Sequence, residues 1–145
     1  MANFNFRFER VLNYKKTIED YKKSQYGVAQ KKLIAEEDKL NEINQIITNV
    51  KDEKNISTEE TSVGNLVMYN NYINDLSKKL NLQKQIVENI RKDAEKAKEE
   101  MINAVKEKKI FEKLKEQEYK KHIYHLQKNE EKHIDSIISY KTSTQ

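Results

Sequence analysis

Leu66 to Ala104 reads LVMYNNYINDLSKKLNLQKQIVENIRKDAEKAKEEMINA. An apolar stripe recurs at Leu66, Tyr69, Ile73, Leu76, Leu80, Val87, Ile90, Ala94, Ala97, Met101 and Ala104, at alternating steps of three and four, and only Gln83 interrupts it. A stripe of two positions per heptad is too narrow to face a broad globular core. It buries its side chains against another helix. The sequence just upstream supplies that helix.

Composition sets the same class. Of 145 residues, 36% are charged and none is Trp or Cys, and the mean hydropathy is -1.02. That leaves little apolar material for a compact core, whereas a coiled coil needs only a seam. Proline is absent and Gly27 and Gly64 are the only glycines, so almost nothing breaks a helix among the dominant Lys, Glu, Leu and Gln. Without cysteine there are no disulfides, thiol nucleophiles or thiolate metal sites, which fits a reducing compartment. No apolar run approaches the roughly 18 residues of a membrane span, and Met1 to Arg10 lacks a signal-peptide core. The expected location is the cytoplasm. The formal charge of +4 comes from 28 basic and 24 acidic residues, closely interspersed, unlike the blocks of a dedicated nucleic-acid binder.

In the first segment the apolar positions run Val11, Tyr14, Ile18 and Tyr21, then resume one register later as Tyr26, Ala29, Leu33, Leu40, Ile43, Ile47 and Val50. A helix accommodates such a slip, so one helix is expected from about Phe8 to Lys54. Asn55 to Asn65, NISTEETSVGN, loses the heptad and gathers Ser, Thr, Asn and Gly, which reads as a loop. The second helix is expected from about Leu66 to Ile138, with a short tail over 139–145. A connection of this length turns two long helices back on each other. The expected fold is therefore all-α: a single-domain, antiparallel two-helix coiled-coil hairpin with a longer second helix. At about 1.5 Å per residue the arms span roughly 70 Å and 110 Å, leaving roughly 30 residues of helix two without a partner unless Met1 to Arg10 covers some of them. Beyond Val105 the seam weakens, because Lys108, Lys115 and Glu118 stand at core positions. The apolar face that remains there is a candidate docking surface.

Nothing in the chain assembles catalytic chemistry. Phosphate loops need clustered glycines, and no serine or cysteine stands beside a base; the chain does not read as an enzyme and no cofactor is expected. Glu118, His122 and His125 offer a partial metal face, but without the HExxH spacing and with any further ligand having to come from elsewhere, so no metal site is expected. The basic run Lys106 to Lys109 and the segment Lys113 to Lys121 are interleaved with Glu107, Glu112, Glu116 and Glu118, as on a solvated helix face with i,i+4 pairs. At the other end, Tyr69, Tyr72, Ile73 and Leu76 lie opposite Ile43, Ile46, Ile47 and Val50. Tyr72 and Ile46 fall beside the seam, where surplus aromatic and apolar residues either mark a partner site or widen the local core.

Two stretches resemble a known family. FNFRFERVLNYKK, Phe4 to Lys16, is similar to the opening of the flagellar export protein FliJ family, a Phe-x-Phe-Arg-Leu core followed by a Val-Leu pair and a basic helix, with Phe8 where leucine is usual. EKKIFEKLKEQEYKKHIYHLQKNEEKHIDSI, Glu107 to Ile137, resembles the family's C-terminal Glu-Lys-Leu-Lys-Glu segment and the motif after it, with His133, Ile134 and Asp135 replacing Leu-Asp-Glu. The resemblance implies a non-enzymatic stalk of the flagellar type III export apparatus. Such a stalk inserts into the hexameric export ATPase ring, contacts the cytoplasmic domain of the export gate and escorts export chaperones. On that reading Phe8, Arg10, Val11, Leu12 and Leu126 face the ATPase ring, and Ile43, Ile46, Val50, Tyr69, Tyr72 and Leu76 face the gate. The protein would then sit peripherally at the inner face of the cell membrane, at the flagellar base, with no nucleic-acid partner. The rival reading is a structural coiled-coil adaptor that dimerises through helix two.

Overall fold

The computed structural model describes residues 3–57 and 62–144. It contains two helices, α1 (Glu9–Ser57) and α2 (Val63–Thr144), and no strand among the described residues. They pack as an antiparallel hairpin. The contacts group into two units, one joining the chain up to Tyr21 with the chain from Ile102 onward, the other running Lys22–Met101. We call these the end unit and the middle unit. In each, partners further along α1 meet residues further back along α2. In the end unit Glu9 pairs with Lys115 and Lys15 with Glu107; in the middle unit Lys22 pairs with Glu100 and Glu37 with Arg91.

The helices run further than their sequence signals suggested. Asn55, Ile56 and Ser57 continue α1, where a loop was expected. Loss of the heptad there ends pairing, not helicity. Residues 58–61 of the expected loop lie outside the described residues. α2 begins at Val63 rather than Leu66 because Ser62 caps it. Its Oγ accepts the Asn65 N–H at 3.4 Å, and its carbonyl accepts the N–H groups of Asn65 and Leu66 at 3.1 and 3.3 Å, satisfying donors that a helix start leaves open. At the other terminus the expected tail is helical through Thr144. The hydroxyls of Thr142 and Thr144 donate to the carbonyls of Ile138 and Tyr140, and Lys141 stands in the last turn, where a cation suits the helix dipole.

The seam itself departs from the apolar reading in α1. Its buried and half-buried positions follow one unbroken stripe: Leu12, Lys15, Glu19, Lys22, Tyr26, Ala29, Leu33, Glu36, Leu40, Ile43, Ile47 and Val50. There is no slip at Gly27. Val11, Tyr14 and Tyr21 are exposed instead, Tyr14 by 62% and Tyr21 by 60%. The expected slip came from following hydrophobicity through a region where charged residues occupy the seam. On α2 the stripe from Leu66 continues past Ala104 through Lys108, Phe111, Lys115, Glu118 and His122. Lys108 meets the buried Glu19 at 2.7 Å, and Lys115 meets Glu9 at 2.9 Å. The seam does not fade there; it changes from apolar contact to ion pairs.

In the middle unit Ile43, Ile47, Val50 and Leu76 form the core, with Tyr69, Ile73 and Leu80 packed on it. Gln83 does not break this seam. Its Nε2 donates to the Glu36 carbonyl at 2.9 Å and to the Glu36 carboxylate at 2.7 Å, so the buried amide has acceptors.

Candidate binding surfaces

Before α1 begins, residues 3–8 lie along α2 and cover part of the length that helix one leaves bare. Phe4 packs against Tyr119 and His122, each at 5.4 Å between ring centroids, and Phe8 meets Phe111 edge-on at 6.2 Å. Phe6 is buried. An Arg7 guanidinium lies 4.4 Å over the Phe8 ring, a favourable cation–π geometry. The Phe-x-Phe pattern is thus an anchor as well as a family signature.

The residues that the resemblance assigns to the ATPase ring divide by exposure. Arg10 and Val11 face outward, Phe8 is half-buried against Phe111, and Leu12 is the most enclosed large side chain, 1% exposed. Leu12 therefore reaches a partner only through its neighbours. Leu126 is half-buried and lines an open groove with Asn129, Glu130, His133 and Ile134. From Gln127 to Thr144 every position is exposed, Ile134, Ile137, Ile138 and Tyr140 included.

The gate set divides in the same way. Ile43, Val50 and Leu76 are core, and Tyr69 is packed on it. Ile46 and Tyr72 are exposed, by 43% and 50%. The core members hold the helices at the spacing that presents the outward pair. Met68 and Val67 are exposed as well, and the sequence reading missed them. Met68 stands four residues before Tyr72, so both lie on one side of α2; that spacing was the available signal.

Electrostatics are strongest in the seam. Hydrogen bonding to Glu19 raises the Lys108 pKa, outweighing its desolvation. Hydrogen bonds from Gln83 and then Lys39 lower that of Glu36. Both shifts favour the charged form of a group held by a partner. Among the described residues no three His, Cys, Asp or Glu side chains stand together to hold a metal. His122 rests on Phe4, and His125 packs against Tyr124 at 5.8 Å. No helix of the described residues is long and apolar enough to cross a membrane.

A two-helix antiparallel hairpin with a partly ion-paired seam and outward apolar side chains defines the class, that of coiled-coil hairpin proteins. The model of the family described as "Flagellar FliJ protein" matches residues 4–145, and the chain belongs to that family, whose members are non-enzymatic components of flagellar protein export. Comparison with curated proteins and with solved structures gives no match.

Proposed function

We propose that the protein is the stalk of the flagellar export apparatus: it binds the export ATPase ring and raises its turnover, and it contacts the cytoplasmic domain of the export gate. A role in escorting export chaperones belongs to the same reading. The observation that carries it is the match to the family over residues 4–145, with the family's opening motif folded back on α2 through Phe4 and Phe8. A hairpin that binds the assembled ring better than free subunits shifts the equilibrium toward the ring, and turnover rises with it. The proposed ring contact is made by Arg10, Val11 and Leu126, with Phe8 and Leu12 holding that end in shape. The proposed gate contact is made by Ile46 and Tyr72, backed by Ile43, Val50, Tyr69 and Leu76. The place of action is the cytoplasmic face of the membrane, reached through these partners.

The test is ATP hydrolysis by the cognate export ATPase, titrated with the full chain and with an Arg10→Ala/Val11→Ala variant. Both replaced residues are exposed, so the variant keeps its seam. Stimulation that the variant loses supports the stalk role. Unchanged turnover and unchanged ATPase oligomer size with the unmodified protein would sink it.

A second reading rests on the exposed Ile134, Ile137, Ile138 and Tyr140: dimerisation through the end of α2. It requires a mass that rises with concentration and returns to that of the monomer when Ile134 and Ile137 are replaced by Ser.

A further inference from the structure

Residues 3–8 reach along α2 as far as His122, on which Phe4 packs. The face beyond is open: Ile123 and Leu126 are half-buried, and every position from Gln127 to Thr144 is exposed. Ile123, Leu126, Glu130, His133, Ile137 and Tyr140 recur there at alternating steps of three and four, the spacing of a coiled-coil seam. Leu126, Glu130 and His133 line one groove, with Ile134 on its flank. The other charged side chains of this stretch, Lys128, Glu131, Lys132 and Asp135, fall at the outer heptad positions, and Lys128 pairs with Glu131 along the helix at 3.5 Å.

The stripe is complementary to itself when reversed. Laid antiparallel on a second copy, Ile123 meets Tyr140, Leu126 meets Ile137, and Glu130 meets His133, each layer occurring twice about a two-fold axis, as in an isologous interface. The Glu130 carboxylate is an acceptor, and an imidazole offers an N–H whether neutral or protonated. A parallel pair would instead set Glu130 against Glu130 and His133 against His133, and like charges across a seam disfavour that orientation. We propose that the end of α2 binds a second copy of this chain antiparallel over Ile123 to Tyr140, with the reciprocal Glu130 and His133 layers fixing register and orientation. The inference rests on the dimerisation reading given above and supplies its geometry. Leu126 also belongs to the proposed ring contact, so a given chain makes one contact or the other, and the dimer covers the ring-facing leucine of the free protein.

Sedimentation equilibrium and thiol cross-linking of the full chain test the two parts. His133→Glu puts carboxylates opposite each other and is expected to raise the dimer dissociation constant at least tenfold. Adding Glu130→Lys to that variant restores the dimer in the antiparallel register only. The chain has no cysteine, so Lys120→Cys and Lys141→Cys each introduce a single exposed thiol, outside the paired stripe. In the proposed register the thiol of one meets that of the other, whereas two copies of Lys141→Cys hold theirs roughly 30 Å apart along the helix. A short bismaleimide should therefore link a mixture of the two variants severalfold faster than Lys141→Cys alone. A dimer that links fastest through Lys141→Cys alone, or that Glu130→Lys fails to restore, overturns the antiparallel arrangement and leaves dimerisation standing. A mass that stays that of the monomer at every concentration overturns both.

Discussion

Lys108 shows what a charged residue does in a seam. Its pKa is raised by the hydrogen bond to Glu19, so the protonated form is favoured in the folded chain. The resulting stability is fully present below the unfolded-state pKa and is lost as pH rises through the folded one. Denaturant midpoints should therefore hold level from neutrality to the ordinary lysine value and decline beyond it. The comparison is with Glu19→Leu/Lys108→Leu. Its decline should be shallower; an equal slope would mean that the pair adds nothing. Glu36 carries the opposite sign. Its lowered pKa gives stability present above the unfolded value and lost as pH falls through the folded one. Leu12 is the apolar counterpart, and truncation to Ala should cost about 3 kcal/mol, read in the same denaturant titration.

At the level of the helices, sequence and structure agree wherever apolar residues and buried positions coincide. Leu66 to Ala104 is such a stretch, and it made the hairpin legible. From Val11 to Tyr21 they do not coincide. Periodicity there pointed at the outward stripe, because nothing in a single strand of text marks Glu19 and Lys108 as each other's partners 89 positions apart. Exposed side chains such as Ile46, Tyr72 and Met68 were legible only as surplus beside the seam, and which of them a partner uses depends on surfaces outside this chain. The helices outrun their expected ends for a local reason: Ser and Thr in Asn55 to Asn65 read as loop signals, yet Ser62 caps α2, and in the expected tail Thr142 and Thr144 bond back to its carbonyls. Ser62→Ala should remove that cap at a cost of about 1 kcal/mol to the first turn, seen as faster hydrogen exchange from Val63 to Leu66 with the core unaffected. Gly27 offers the converse. A Cβ there meets nothing within 4 Å, so Gly27→Ala should raise stability by about 1 kcal/mol through helix propensity alone. A loss of stability would mean that α1 needs the glycine for something other than the folded seam.

For the molecule as a whole, the two proposed contacts fall on different units, Arg10 and Val11 on the end unit and Ile46 and Tyr72 on the middle unit. Exposed side chains contribute to binding without holding the fold, and substitutions far apart with no shared partners act nearly independently. The proposed functions should therefore separate. Ile46→Ala/Tyr72→Ala is expected to weaken binding to the cytoplasmic domain of the gate by tenfold or more, about 1.4 kcal/mol, while ATPase stimulation stays at the unmodified level. Arg10→Ala/Val11→Ala is expected to do the reverse. Calorimetry with the gate domain and turnover with the ATPase, run on both variants, give four values. If either pair of substitutions abolished both activities while helicity held, the contacts would be one surface or one coupled change.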